Sequence, residues 1–203
     1  MGGNKYGIYI HGAGSGAKSA TKSAFLTYMP EYDWICPEVD ENPQQSIGKI
    51  NEYVKVFSPE IIAGTSMGGF YTLYADARDA IKVVCNATVT IEKVLRKIGY
   101  GTYPFFCERE DGRTEYTIDE SLVRTFIQYR NSHIIIPGRI NLAVFSTDDE
   151  LVGQVESRKN AKLLEEAGFS IVWSDKFGHR LNENVAKKIP GWIEKMFKSD
   201  SEI

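Results

Sequence analysis

The chain has 203 residues, 42% of them apolar and 25% charged, and carries a formal net charge of −3. Those values fit one globular domain with a sizeable core and leave no case for a disordered or collagen-like chain. Lys and Arg are scattered rather than gathered into a stripe, which argues against a nucleic-acid partner, and no window approaches the roughly 20 apolar residues of a membrane-spanning helix.

In chain order, Met1 to Lys5 leads into an apolar stretch, Tyr6 to Ile10, that is too short for the core of an export signal, so a cytoplasmic protein is expected. Periodicity predicts a strand over 6–11, a helix over 18–29 and a strand over 32–36. Pro43 opens a helix whose Ile47, Ile50, Val54 and Phe57 keep helical spacing, and Ser58-Pro59 ends it before a strand at 60–65. A glycine-rich turn leads to a helix from Met67 to about Arg78, followed by a buried strand from Ile81 to Asn86. From 87 to 139 the alternation lapses. A short helix (91–98), an aromatic stretch (Tyr100, Tyr103, Pro104, Phe105, Phe106), a charged turn at Asp111-Gly112 and a helix near 119–130 read as an inserted segment. Strand 140–146, helix 154–167 closed by Gly168, strand 169–174 and a helical region from about 182, with Pro190 suited to a fresh start, resume the pattern. The expectation is an α/β fold: a mostly parallel six-stranded sheet covered by helices on both faces, a single domain over 1–203 with a lid-like insert at about 87–139.

The sharpest chemical signal is Gly64-Thr65-Ser66-Met67-Gly68, a G-x-S-x-G sequence between an apolar strand and an amphipathic helix. That context calls for a strained strand-to-helix turn that projects the Ser66 hydroxyl above the sheet. The helix amino terminus beside it favours developing negative charge. A plain glycine-rich helix cap would need neither the strand nor the serine.

A serine hydroxyl needs a base, and the base needs an orienting group. The chain offers three histidines, His11, His133 and His179. His179 follows the last strand and so lies at the same carboxyl edge as Ser66; His133 falls in the insert and His11 beside the first strand. The acid is expected after strand 140–146, in Thr147-Asp148-Asp149-Glu150. Asp149 is favoured because Leu151-Val152 behind it can return to the core and leave its carboxylate at the strand mouth. Asp148 is the alternative, and Glu150 and Asp175 read as solvated or loop-capping charges. The backbone N–H groups of Met67 and Ala13 are the expected oxyanion donors, with His11 orienting the Ala13 loop.

Two rival motifs share that loop. Gly12-Ala13-Gly14-Ser15-Gly16-Ala17 satisfies the G-x-G-x-x-A dinucleotide fingerprint, with Glu38 as a passable acidic partner, and Ala17 alone breaks a Walker A loop ahead of Lys18-Ser19. Nucleotide binding leaves Ser66, Asp149 and His179 unexplained, so no organic cofactor is expected. Cys36, Cys85 and Cys107 are odd in number, far apart and without a CxxC pair, so they read as reduced thiols, two of them at strand ends, and no metal site is expected.

Taken together, Tyr9-Ile10-His11-Gly12, Ser15, Lys18-Ser19-Ala20, Gly64-Thr65-Ser66-Met67-Gly68-Gly69-Phe70-Tyr71, Asn86-Ala87, Thr147-Asp148-Asp149-Glu150 and Gly178-His179 resemble the alpha/beta-hydrolases, and within them the compact YqiA-like esterases. The resemblance implies a core lacking the first antiparallel strands of larger hydrolases, catalytic positions at Ser66, Asp149 and His179, and activity on acyl esters or acyl-CoA thioesters. Ala13 stands where a bulkier residue is common, Asp148 replaces a glycine, and the insert is longer.

The expected chemistry is acyl transfer to water through an acyl-Ser66 intermediate on a small-molecule ester or thioester, with Tyr100, Tyr103, Phe105 and Phe106 of the insert forming an apolar pocket wall. An acyltransferase with the same triad is one rival, separable by products formed with and without acceptors. A non-catalytic ligand-binding module on the same fold is another; a missing triad member would mark it, and none is missing. Neither the oligomeric state nor the acyl preference is written in the sequence.

Overall fold

A computed structural model describes residues 5–175 and 177–200; the amino-terminal residues 1–4 of the expected lead-in lie outside them. The elements run β1 (Tyr6–Ile10), α1 (Ala20–Tyr28), β2 (Asp33–Ile35), α2 (Pro43–Phe57), β3 (Ile61–Thr65), α3 (Met67–Tyr74), β4 (Ile81–Cys85), α4 (Ile91–Ile98), β5 (Gly101–Pro104), β6 (Glu115–Ile118), α5 (Glu120–Ser132), β7 (Ile140–Ser146), α6 (Gln154–Glu166), β8 (Ser170–Ser174), α7 (Glu183–Ala186) and α8 (Ile189–Asp200). Six strands form one parallel sheet in the order β2-β1-β3-β4-β7-β8.

The inner strands are apolar on both sides because both faces are covered, and the two-residue period still sorts them. Ile8, Ile10, Ile62, Val84, Ala143 and Phe145 pack on one face with residues of α2, α3, α5 and α6. Tyr9, Ile61, Ala63, Val83, Leu142 and Val144 pack on the other with Phe25 of α1 and Ile189 and Ile193 of α8. Helix starts are fixed locally: Ser19, Asn42, Asp119 and Asn182 each accept a hydrogen bond from a first-turn N–H.

The chain steps from β1 outward to β2, then crosses back to β3 on the other side of β1. That reversal opens a crevice at the carboxyl ends of β1 and β3, where the loop after β1 meets the turn after β3.

Two features depart from the expected pattern. Helix α3 stops at Tyr74 rather than near Arg78. The ammonium of Lys82, a fully buried β4 residue, takes the carbonyls of Thr72 and Ala75 at 2.9 and 2.6 Å, together with Ile136 O at 2.7 Å. A residue distant in the helix's own pattern thus satisfies its last carbonyls and ends it. The aromatic stretch, in which no strand is predicted, contains β5, which pairs antiparallel with β6 as Gly101↔Ile118 to Pro104↔Glu115.

Candidate active site

Ser66 sits between β3 and α3 with φ 55° and ψ −120°, a backbone conformation that costs a non-glycine residue of order 1–3 kcal/mol and needs support from its surroundings. The support is close packing. A Cβ on Gly68 would land on Ile10 O, one on Gly64 on Gly68 O, and one on Gly69 on the Ala87 side chain. The Ser66 N–H is tied to Cys85 O at 3.0 Å, which fixes the turn to β4.

His179 Nε2 lies 2.9 Å from Ser66 Oγ, and its Nδ1 lies 3.0 Å from each carboxylate oxygen of Asp149. The structure therefore brings together Ser66, His179 and Asp149 from the ends of β3, β8 and β7. Asp149 is 3% exposed. Burial raises its carboxyl pKa, but the His179 hydrogen bond and the N–H groups of Val152 and Leu151 outweigh that and hold it below the usual range. Both N–H groups reach Oδ1 at 2.9 Å. Leu151 and Val152 do pack against the core, as Asp-Glu-Leu-Val suggests, yet it is their amides that fix the carboxylate.

The flanking acids have other work. Asp148 accepts from Ser146 Oγ and, at 3.0 Å, from the Gly178 N–H. Glu150, expected to be a solvated charge, accepts the His179 N–H at 2.9 Å. From the other side Asn86, buried and at φ 46°, donates from Nδ2 to Gly178 O and His179 O at 2.8 and 2.9 Å. The backbone carrying the histidine is thus clamped from three directions. Sequence reasoning missed Asn86 and Glu150 in these roles; a polar residue closing an apolar strand was the only available sign. Lys97, on α4, donates to the carbonyls of Glu150 and Leu151 at 2.9 and 2.8 Å and ties that helix to the acid turn. Asp175 bonds to the Thr147 hydroxyl instead.

The loop after β1 passes alongside. The space a Cβ on Gly12 would take lies 3.4 Å from Ser66 Cβ, so the absence of a side chain lets this loop approach the nucleophile. The Ala13 and Met67 N–H groups have no acceptor among the described residues. His11 is buried, with Nδ1 3.0 Å from Gly12 O and Nε2 accepting the Val39 N–H at 3.2 Å. Glu38, the acid that would partner a dinucleotide ribose, is occupied by the Ala17 and Glu110 N–H groups and pairs with the Arg109 guanidinium. His133 stacks on Tyr129, away from Ser66.

Above Ser66 and His179 opens a cavity of about 850 Å³. One wall is apolar, built from Ile91, Val94, Leu95 and Ile98 of α4 with Tyr103 and Phe106; the other carries Ser15, Ser23, Thr27 and Arg180. Of the four aromatics expected there, Tyr103 and Phe106 line it. Tyr100 points its hydroxyl at Glu120, and Phe105 packs on Tyr116 beneath Arg109. Among the described residues no cluster of His, Cys, Asp and Glu could hold a metal ion, and no helix is long and apolar enough to cross a membrane.

A parallel sheet of this order, with a strained serine turn after β3 and a histidine loop after β8, is the alpha/beta-hydrolase fold. Residues 6–195 match the model of UPF0227, an uncharacterised protein family, and the chain belongs to that family, the YqiA-like group that the motifs resemble. No curated protein sequence matches it. Solved structures with the same fold include MGS-MChE2, an alpha/beta hydrolase enzyme from the metagenome of lagoon sediments at Mar Chica, Morocco (15% identity, TM-score 0.63, covering 98% of this chain and 93% of that one). Mouse alpha/beta hydrolase domain-containing protein 10 is similar at 14% identity (TM-score 0.63, 98% and 92%), and Arabidopsis thaliana SOBER1 at 14% (TM-score 0.58, 95% and 99%).

Proposed function

We propose that this protein is a serine hydrolase that cleaves carboxylic esters or thioesters of small molecules through an acyl-Ser66 intermediate. The observation that carries the reading is the continuous hydrogen-bonded relay from Ser66 Oγ through His179 to the buried Asp149, opening into a half-apolar cavity.

Ser66 Oγ attacks the carbonyl carbon as His179 Nε2 takes its proton, and the carbonyl oxygen becomes an oxyanion received by the N–H groups of Ala13 and Met67. Collapse breaks the bond to the leaving oxygen or sulfur, which takes the proton from His179. Water then enters, gives a proton to His179 and attacks the acyl carbon. The acid departs and the proton returns to Ser66 Oγ. Asp149 holds the histidine with its proton on Nδ1, leaving Nε2 free to accept.

The acyl chain lies along α4, Tyr103 and Phe106, because burying apolar surface there contributes about 25 cal/mol per Å², and the leaving group lies toward α1 and Arg180. Residues 87–139 act as a cap on a single domain. The test is a fluorophosphonate probe read by mass spectrometry with a graded panel of nitrophenyl esters and acyl-CoAs. Labelling of Ser66, lost in Ser66→Ala together with all turnover, is expected; labelling of another serine refutes the assignment.

A further inference from the structure

The segment between α4 and α5 grips the turn that carries the Ala13 N–H. Phe106 N–H donates to Gly14 O at 2.7 Å, and Arg109 Nη1 donates to Ser15 O, the next carbonyl along, at 2.9 Å. The fit is tight: a Cβ on Gly14, which has φ +69°, would lie 2.8 Å from the Phe106 ring.

Arg109 is an inward anchor rather than a surface charge. Its side chain is 1% exposed, and its guanidinium also donates to Val39 O at 3.0 Å, pairs with Asp111 and lies 2.9 Å from Glu38 Oε1. His11 Nε2 accepts the Val39 N–H at 3.2 Å, and its Nδ1–H donates to Gly12 O at 3.0 Å. Arg109 therefore reaches both ends of the turn, Ser15 directly and Gly12 through Val39, whose carbonyl accepts from Arg109 and whose N–H donates to His11. The turn closes on itself through Ser15 N–H to Gly12 O at 3.3 Å, with Ala13 between.

We infer that Arg109 is a positioning residue for the oxyanion hole, fixing the Ala13 N–H at the point where charge develops. The inference rests on the hydrolase reading of Ser66, His179 and Asp149. Its physical basis is that an oxyanion donor acts only when held about 2.7–3.1 Å from where the charged oxygen will be. A turn flanked by glycines has no rigidity of its own to ensure that. Displacing it weakens binding of the transition state and leaves binding of the uncharged ester in the cavity unchanged.

Arg109→Lys keeps a positive charge beside Glu38 and loses the planar fork that reaches Ser15 O, Val39 O and Asp111 together. The expected result on a nitrophenyl ester is a fall in kcat of about 10- to 100-fold with KM unchanged. Affinity for a trifluoromethyl ketone bearing the same acyl chain, which forms a hemiketal oxyanion with Ser66, should fall by the same factor. A folded variant with wild-type kcat and ketone affinity overturns the inference. So does one in which only KM rises, because the effect would then lie in the cavity wall. Should Arg109→Lys fail to fold, the pair Glu38→Gln with Arg109→Met removes both buried charges together; the same losses are expected, and wild-type kcat in that pair overturns the inference equally. Fluorophosphonate labelling of the wild type separates the two levels. An unlabelled Ser66 counts against the hydrolase reading itself, whereas a labelled wild type with unimpaired variants counts against Arg109 alone.

Discussion

Replacing Asp149 by Asn exchanges one carboxylate oxygen for an NH2 group, and the structure says which way the amide turns. Oδ1 accepts N–H groups from both Leu151 and Val152 at 2.9 Å, so an oxygen must stay there; an amide nitrogen would face two donors. The NH2 group then occupies the Oδ2 position, 3.0 Å from His179 Nδ1. A donor at that place competes with the oxygen kept at Oδ1, also 3.0 Å from Nδ1, and favours the tautomer in which Nδ1 accepts and the ring proton sits on Nε2, the atom facing Ser66 Oγ. In that tautomer the histidine cannot take the serine proton. The expected loss in kcat is about 10⁴-fold, or about 5.4 kcal/mol, with little change in KM. Asp148→Asn is the internal control, because an amide oxygen can still accept from Ser146 Oγ and Gly178 N–H; its rate should stay within about fivefold of wild type, the span of about 1 kcal/mol. Steady-state hydrolysis of a nitrophenyl ester, with thermal melts to confirm folding, measures both. A folded Asp149→Asn within tenfold of wild type, or a crippled Asp148→Asn beside an active Asp149→Asn, refutes the tautomer argument and moves the acid elsewhere.

Lys82→Met should leave the buried carbonyls of Thr72, Ala75 and Ile136 without a donor, costing at least about 3 kcal/mol and lowering Tm by roughly 10 °C in a thermal melt; an unchanged Tm refutes the role given to Lys82 in ending α3. Because Asp149 has a folded pKa below its unfolded value, its contribution to stability is complete above the usual carboxylate range and is lost as pH falls through the folded value. Asp149→Asn should therefore lose less stability than wild type between pH 6 and pH 3 in denaturant titrations, and an equal loss refutes the linkage. Val94→Trp, on the α4 wall, should lower kcat/KM for octanoyl esters at least about tenfold while sparing acetyl esters; uniform loss across the panel would take the acyl chain away from α4.

What could be read in the sequence was whatever a residue's own neighbours determine. β3, β4 and β7 are apolar runs, β3 passes into a G-x-S-x-G turn, and α2 carries its cap at Asn42 and its proline at Pro43. Ser66 and His179 follow from such local signs plus the rule that parallel strands deliver their loops to one edge. The end of α3 was hidden because Lys82 sets it from another strand. β5 was hidden because Gly101-Thr102-Tyr103-Pro104 has neither clean alternation nor strand-forming composition, and because the ten residues 105–114 between β5 and β6 give no tight-turn signature.

The same distinction accounts for which site residues were missed. Ser66 and His179 would act through their own side-chain chemistry, which residue type announces. Asn86, Glu150 and Lys97 act on backbone groups of other loops, and a carbonyl or N–H in need of a partner leaves no mark on the sequence that carries it. The run Asp148-Asp149-Glu150 shows how far that goes. The acids are adjacent and chemically alike, yet they hold Gly178 N–H, the His179 ring and His179 N–H respectively. The middle one alone is buried and held by the two amides that follow it, Leu151 and Val152. A carboxylate whose Oδ1 must satisfy two fixed donors has a defined face for the imidazole, while its neighbours, bound through backbone groups of a loop, orient the chain and not the ring. In the proposed reaction the tract would work as a unit in which the outer acids set where the histidine is and the inner one sets which of its nitrogens carries the proton.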